Sequence, residues 1–334
     1  MQTKEDLIKF IQGKSVLYIA TKNLDYIRIS QEISLLENSG ANISVICYND
    51  KNYIRRCLKV FSKLMFHSCR KYDIIFVGFM AQMIIPLFHW KWRRKPVITD
   101  FFISIYDTLI FDRKKFRQKG VASFLFKWID RVTVRKSSYL IADTQNHALY
   151  FEEEFHADLQ NTYILYLEAD EKIYHPMAIS KPPEWVDKYL VVFFGSILPV
   201  QGIEVLLEAI TLLKEFEWIH FLIIGPIDPQ HKNNSSDTVT YIDWLPQKDL
   251  AQKIAMADLC LAGHFSSTVN KAKRTIPGKA YIYQAMRKRI VLGDSPANHE
   301  LFKEDNGHYY VKMGDSQALA VTIKHLAEKW KEDI

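Results

Sequence analysis

Short apolar runs alternate along the chain with segments whose apolar residues recur at helical spacing. SVLYIA (15–20) is followed by the polar loop TKNLD; Ile29, Ile33 and Leu36 then repeat at helical spacing up to Gly40, a helix stop, and ANISVIC (41–47) forms a second run. A strand–helix–strand opening implies parallel pairing, because a parallel crossover needs an intervening helix. DIIFV (73–77), PVITD (96–100), YLIAD (139–143) and TYILYL (162–167) extend the series to the six strands of one Rossmann-like domain. The polar stretch 168–185, with Pro176, Pro182 and Pro183, breaks both patterns and predicts a boundary between domains 1–178 and 179–334. The second half repeats the logic. YLVVFFG precedes a helix marked by Val205, Leu206, Ala209, Ile210 and Leu213. WIHFLIIG, TVTYIDWLP, DLCLAG, RIVLG and YYV follow as strand candidates, and Leu319, Ile323, Leu326 and Trp330 mark a last amphipathic helix. DPQHKNNSSD (228–237) reads as a surface loop.

Loops at the carboxyl ends of parallel strands line the ligand crevice of such sheets. FFISIYDTLIFDRKKF (101–116) keeps neither period and follows the fourth strand, so Asp100, Ser104, Tyr106, Asp107 and Asp112 stand where chemistry or acceptor binding can occur. DTQNHALYF places Thr144, Asn146 and His147 likewise after the fifth strand, although a single histidine at a helix start also serves as an ordinary hydrogen-bonder. In the second half Gly195 lies between a strand and a helix that starts near Gly202. Such a turn admits close backbone approach to a phosphate, and the helix N-terminus offers unsatisfied N–H groups. Lys271, Arg274 and Lys279, around a Pro-Gly turn, supply charge of the kind that neutralises a leaving diphosphate.

Composition narrows this picture. At 334 residues, 48% hydrophobic and 25% charged, the chain has the length and balance of two globular domains. Its four cysteines show no C-x-x-C spacing, and no acidic or histidine cluster suggests a metal. The longest apolar run, 74–88, is interrupted by Gly78, Gln82 and Pro86 and falls short of the roughly 18 residues of a membrane span. MQTKEDLIKF lacks a signal-peptide pattern, so the expected location is cytoplasmic. Net charge is +6, but residues 51–136 hold 20 Lys and Arg against 5 Asp and Glu, a local +15. There KNYIRRCLKVFSKLMFHSCRK and LFHWKWRRK mix cations with Phe61, Phe66, Trp90 and Trp92, which predicts docking of residues 51–71 and 87–95 on an anionic membrane surface. A solvated helix face is the alternative. A nucleic-acid partner is not expected, since the basic region carries no recognition motif.

FGSILPVQGIEVLLEA, FLIIG, YIDWLPQKDLAQKIAMADLCLA, IPGK and LGDSPANHELF together resemble the family-four glycosyltransferases of the GT-B fold over about 140 residues. DYIRI, DFFISIYDT with DRK, and ADTQNHALYF extend the likeness to bacterial members that assemble surface polysaccharides. The resemblance implies an α/β protein with two Rossmann-like domains facing a central cleft. It implies a retaining transfer of sugar from a nucleotide-diphosphate donor to a lipid-linked or lipopolysaccharide glycan, with no metal and no tightly bound cofactor, at the inner face of the cytoplasmic membrane. On it, Gly195, Ser196, Gln201, Gly202, Trp244, Leu245, Lys271, Arg274, Lys279 and Ile282 form the donor site, while Asp107 and His147 position the acceptor or shape local electrostatics. Ser196 and Gln201 stand where relatives carry Arg and Lys, and Ile282 where they carry a ribose-binding carboxylate; Gln284 could replace that carboxylate only in a register shifted by two. These neutral residues favour an alternative, a catalytically silent GT-B protein acting as a partner or membrane-binding subunit.

Overall fold

The computed structural model describes residues 1–228, 232, 237–305 and 307–332. Most of the 228–237 tract read as a surface loop lies outside them. The chain divides into two compact units, Met1–Glu168 and Ala169–Ile334.

The first unit opens with α1 (Lys4–Ile11), set by a capping box in which Thr3 and Asp6 satisfy each other's backbone N–H. Its sheet comprises β1 (Ser15–Ile19), β2 (Asn42–Ile46), β3 (Ile74–Val77), β4 (Val97–Asp100), β5 (Tyr139–Ala142) and β6 (Thr162–Ile164), in the order β2-β1-β3-β4-β5-β6. Every pairing is parallel. β1, β3 and β4 are buried nearly end to end, as strands covered on both faces must be. The connecting helices are α2 (Ile27–Asn38), α3 (Tyr53–Phe66), the short α4 (Ile85–Phe88), α5 (Val121–Lys136) and α6 (Gln145–Phe155). Val60 and Leu64 of α3 share a core with Ile85 and Phe88 of α4, and α4 packs in turn on α5. These three helices therefore follow one another across one face of the sheet.

Two local expectations change. Trp92 is 1% exposed and belongs to that core, so it is no surface aromatic, whereas Trp90 points outward. The two side chains part because His89–Lys91 forms a tight 3₁₀ turn. The aperiodic stretch after β4 is partly ordered as a π-helical segment, Asp107–Asp112, rather than an open loop.

The second unit is built from β7 (Tyr189–Phe194), β8 (Ile219–Ile224), β9 (Val239–Ile242), β10 (Leu259–Leu261), β11 (Ile290–Gly293) and β12 (His308–Val311), ordered β12-β11-β10-β7-β8-β9 and parallel throughout. Its helices are α7 (Ile203–Leu212), α8 (Gln247–Met256), α9 (Lys271–Arg274), α10 (Gly278–Ala285), α11 (Pro296–His299) and α12 (Ser316–Glu332). Leu206 and Ile210 of α7 and Leu319 and Ile323 of α12 close over Tyr189, Val191 and Phe221 as its main core. Two Rossmann-like parallel sheets make the chain an α/β protein.

Candidate active site

In the second unit three loops meet where strands β7, β8 and β10 end. Gly195 (φ +141°) follows β7, and its N–H donates to the Ile224 carbonyl of β8 at 2.9 Å. A Cβ on Gly225, just past β8, would lie 2.1 Å from the Gly195 carbonyl oxygen, so the two turns touch backbone to backbone. Gly202 (φ +64°) starts α7, and a Cβ there would meet the Ser266 amide at 2.5 Å. The loop after β10 is thereby pressed against the start of α7, an approach fixed by the Phe265 N–H donating to the Gln201 carbonyl at 3.1 Å. No side chain caps α7 at Gly202, leaving its first N–H groups for an anion.

Lys279 reaches this junction from the first turn of α10, which likewise lacks a side-chain cap. Its ammonium donates to Gln201 Oε1 at 2.5 Å and lies 4.1 Å from the centre of the Phe193 ring. It packs so closely that a Cβ on Gly195 or Gly263 would stand 3.3 or 2.9 Å from Nζ. The residue is 6% exposed, and burial alone pushes its pKa down to about 7. Among the described residues no carboxylate pairs with this ammonium. A buried cation held by a neutral amide and a ring face is a costly arrangement that an anionic ligand would relieve.

The other expected donor residues surround this point unequally. Ser196 is exposed on the turn after β7. Trp244, 74% exposed, and half-buried Leu245 sit on the loop between β9 and α8, where an indole face is open to stacking. Lys271 and Arg274 form the single turn of α9 and exert no resolved influence on Lys279. Ile282 is buried on α10, while Gln284 is exposed. The structure thus brings Gly195, Gln201, Gly202 and Lys279 into one cluster, and α9, which carries Lys271 and Arg274, packs on the Pro199–Gln201 turn beside it.

In the first unit Asp107 and His147 are both closed off, at 1% and 0% exposure. The Asp107 N–H donates to Ser104 Oγ, which donates in turn to Asp130 at 2.7 Å. Burial pushes the Asp130 carboxyl up to about 6. His147 follows the Thr144 cap of α6; its Nδ1 faces Asp143 Oδ1 at 2.5 Å and its buried Nε2 meets no hydrogen-bond partner among the described residues. Burial raises the Asp143 carboxyl, but His147, with Arg28 adding to it, outweighs burial and holds it below its usual range.

Sequence reading missed the network beside this pair. Arg28, fully buried on α2, grips Asp100 at the end of β4 through Nε and Nη2 at 3.1 and 3.0 Å and donates to the Leu165 carbonyl at 2.6 Å. Glu32, one turn on, lies 3.7 Å from the guanidinium and accepts from Tyr18 Oη at 2.5 Å. Burial, reinforced by Asp100, pushes the Glu32 carboxyl well up. The signal was available: Arg28, Gln31 and Glu32 place three polar residues on the buried side of α2.

Among the described residues no group of three or more His, Cys, Asp and Glu could hold a metal ion. Among the described residues no helix is long and apolar enough to cross a membrane.

Residues 188–329 match the family model described as glycosyl transferases group 1. HepE of Anabaena, solved in complex with UDP, is similar to this chain at TM-score 0.63 and 15% identity over 95% of this chain and 91% of that one. The same protein was also solved in complex with UDP-glucose. Sucrose-phosphate synthase from Thermosynechococcus elongatus gives TM-score 0.68 and 12% identity, covering 94% and 90%. A glycosyltransferase from Rickettsia africae gives 0.61 and 13%, covering 95% and 89%. No curated protein matches the sequence. At these identities the likeness is one of fold, and it is the GT-B fold.

Proposed function

We propose that this protein is a retaining, metal-independent glycosyltransferase. It moves a sugar from a nucleotide-diphosphate donor to a lipid-linked or lipopolysaccharide glycan during bacterial surface-polysaccharide synthesis, at the inner face of the cytoplasmic membrane. The observation that carries the reading is Lys279: a buried ammonium with no carboxylate partner among the described residues, set between the uncapped starts of α7 and α10. Breaking the bond from the anomeric carbon to the diphosphate sends an electron pair onto phosphate. A preorganised cation and helix N–H groups stabilise that charge as it develops. The family match over the same segment and the UDP complexes of HepE favour a nucleotide donor. In this reading the Trp244 face takes the base, Lys271 and Arg274 add long-range charge, and Asp107 and His147 shape the first unit's strand ends from beneath the surface.

The second reading, a silent GT-B protein serving as a partner or membrane-binding subunit, is favoured by Ile282. Buried and apolar, it offers ribose hydroxyls no acceptor, and Gln284 faces the other way. A nucleotide-sugar panel separates the two. Donor hydrolysis or transfer with at least one donor supports the transferase. Nucleotide binding by calorimetry without turnover of any donor supports the silent protein.

A further inference from the structure

We propose that the outward face of α5, with the basic segment that leads into it, docks on an anionic lipid bilayer. This deepens the lipid-linked-acceptor reading and rests on it for its purpose, though not for its test. α5 is built the wrong way round for a helix of an isolated domain. Its inner side buries Ser123, Asp130 and Thr133 beside Val134, with Phe126 packed on the same core, because Asp130 is needed there to accept from Ser104 Oγ and the Ile105 and Tyr106 amides. Its outer side presents Val121, Phe124, Leu125 and Trp128, at 88, 75, 48 and 51% exposure, spaced i, i+3, i+4 and i+7. A continuous apolar stripe of this kind marks a surface that something covers.

Charge identifies the occupant. Residues 113–129 contain no acid, and Arg113, Lys114, Lys115, Arg117 and Lys119 are all exposed just before the stripe. Past Trp128 the stripe continues as Arg131 and Arg135, which with Phe155, His156 and a single acid, Asp158, line a recess of about 490 Å³. On α4, which packs on α5, Leu87 is exposed, and α3 exposes Leu58 and Phe66 along with Lys59 and Lys63. Apolar side chains ringed by cations suit an interface of acyl chains below anionic headgroups. A symmetric pair of chains would instead set one 20-to-5 excess of cations against another.

The test is sedimentation of the full chain with phosphatidylcholine vesicles, with and without phosphatidylglycerol. Phe124→Ser/Trp128→Ser and Lys114→Glu/Lys115→Glu change exposed positions, and unchanged thermal melts check their folding. Binding is expected only with the anionic lipid. The apolar pair should lose about tenfold or more in partitioning, from the acyl contact removed. The charge-reversal pair should lose at least as much at low salt, and less at roughly 0.5 M, where the Debye length is about 4 Å. Equal binding to both vesicles, no binding, wild-type partitioning by the apolar pair, or a wild-type dimer that the apolar pair dissolves would each overturn the proposal. No donor or acceptor is present, so failure here leaves the transferase reading standing; absent turnover with intact vesicle binding does the reverse.

Discussion

Replacing Lys279 by methionine keeps the length of the side chain and removes its charge. With a pKa near 7 the wild-type ammonium is about one-tenth charged at pH 8 and about one-hundredth at pH 9. A bound diphosphate favours the charged form, so binding draws in a proton. Donor affinity should fall by up to about tenfold per pH unit above 7, roughly 1.4 kcal/mol each. Near pH 6.5 the methionine variant should bind more weakly by about 1.5–3 kcal/mol, the worth of a hydrogen bond to a charged group. Toward pH 9 the two proteins should converge. A nucleotide-diphosphate sugar is the right ligand, because its diphosphate does not titrate in this window. Calorimetry at pH 8 in buffers of different ionisation enthalpy should read about half a proton or more taken up by wild type and none by the variant. Stability runs the opposite way. The folded pKa lies below the unfolded value of 10.5, so the unfolded chain binds more protons between about 7 and 10.5 and wild-type stability rises with pH. Lys279→Met should therefore stabilise the empty protein near neutrality, by an amount on the order of a few kcal/mol. No proton uptake by wild type, or an identical pH slope in the variant, would refute this reasoning.

Asp100→Asn removes the carboxylate that Arg28 grips directly and should cost up to about 3–5 kcal/mol in urea unfolding of the first unit, since only Glu32, at 3.7 Å, remains to balance the buried guanidinium. Gly225→Ala drives a methyl into the Gly195 carbonyl at a left-handed φ of +152°, and should both lower Tm and weaken nucleotide binding; an unchanged calorimetric titration would detach that contact from the site. Ile282→Glu buries an unpaired carboxylate and should lower Tm in the absence of ligand. Tighter nucleotide binding by that variant would instead set residue 282 against the ribose.

Much of the fold was written in the sequence because parallel strands covered on both faces leave uninterrupted apolar runs. SVLYI, YLVVFF and IHFLII are such runs, buried almost throughout. The edge strand Val239–Ile242, half-exposed along its length, carries a weaker signal. Periodicity also cannot say which side of a helix faces inward when the core itself holds polar groups. VASFLFKWIDRVTVRK reads as amphipathic, yet Val121, Phe124, Leu125 and Trp128 point out while Val134 faces in beside Asp130, because the turn at Ser104–Tyr106 needs that carboxylate beneath it. The π-helical Asp107–Asp112 has no periodic signature to find. At the proposed donor site, the sequence marked the glycines and Lys279 as candidates but not the burial of that lysine, which depends on Phe193 and Gln201 far away in the chain.

The contacts of Gly225 with Gly195, and of Gly202 with Ser266, have an evolutionary consequence. The curvature of this pocket is written in main-chain atoms, which every residue type supplies, and so it can be inherited independently of the side chains that line it. Selection is then free to exchange Ser196, Gln201 or Ile282, drifting from one donor to another or into disuse, while the scaffold persists unchanged. A lineage of such proteins would keep its glycines long after its ligands had diverged. A protein engineer could in the same way reload the pocket with new side chains without rebuilding it.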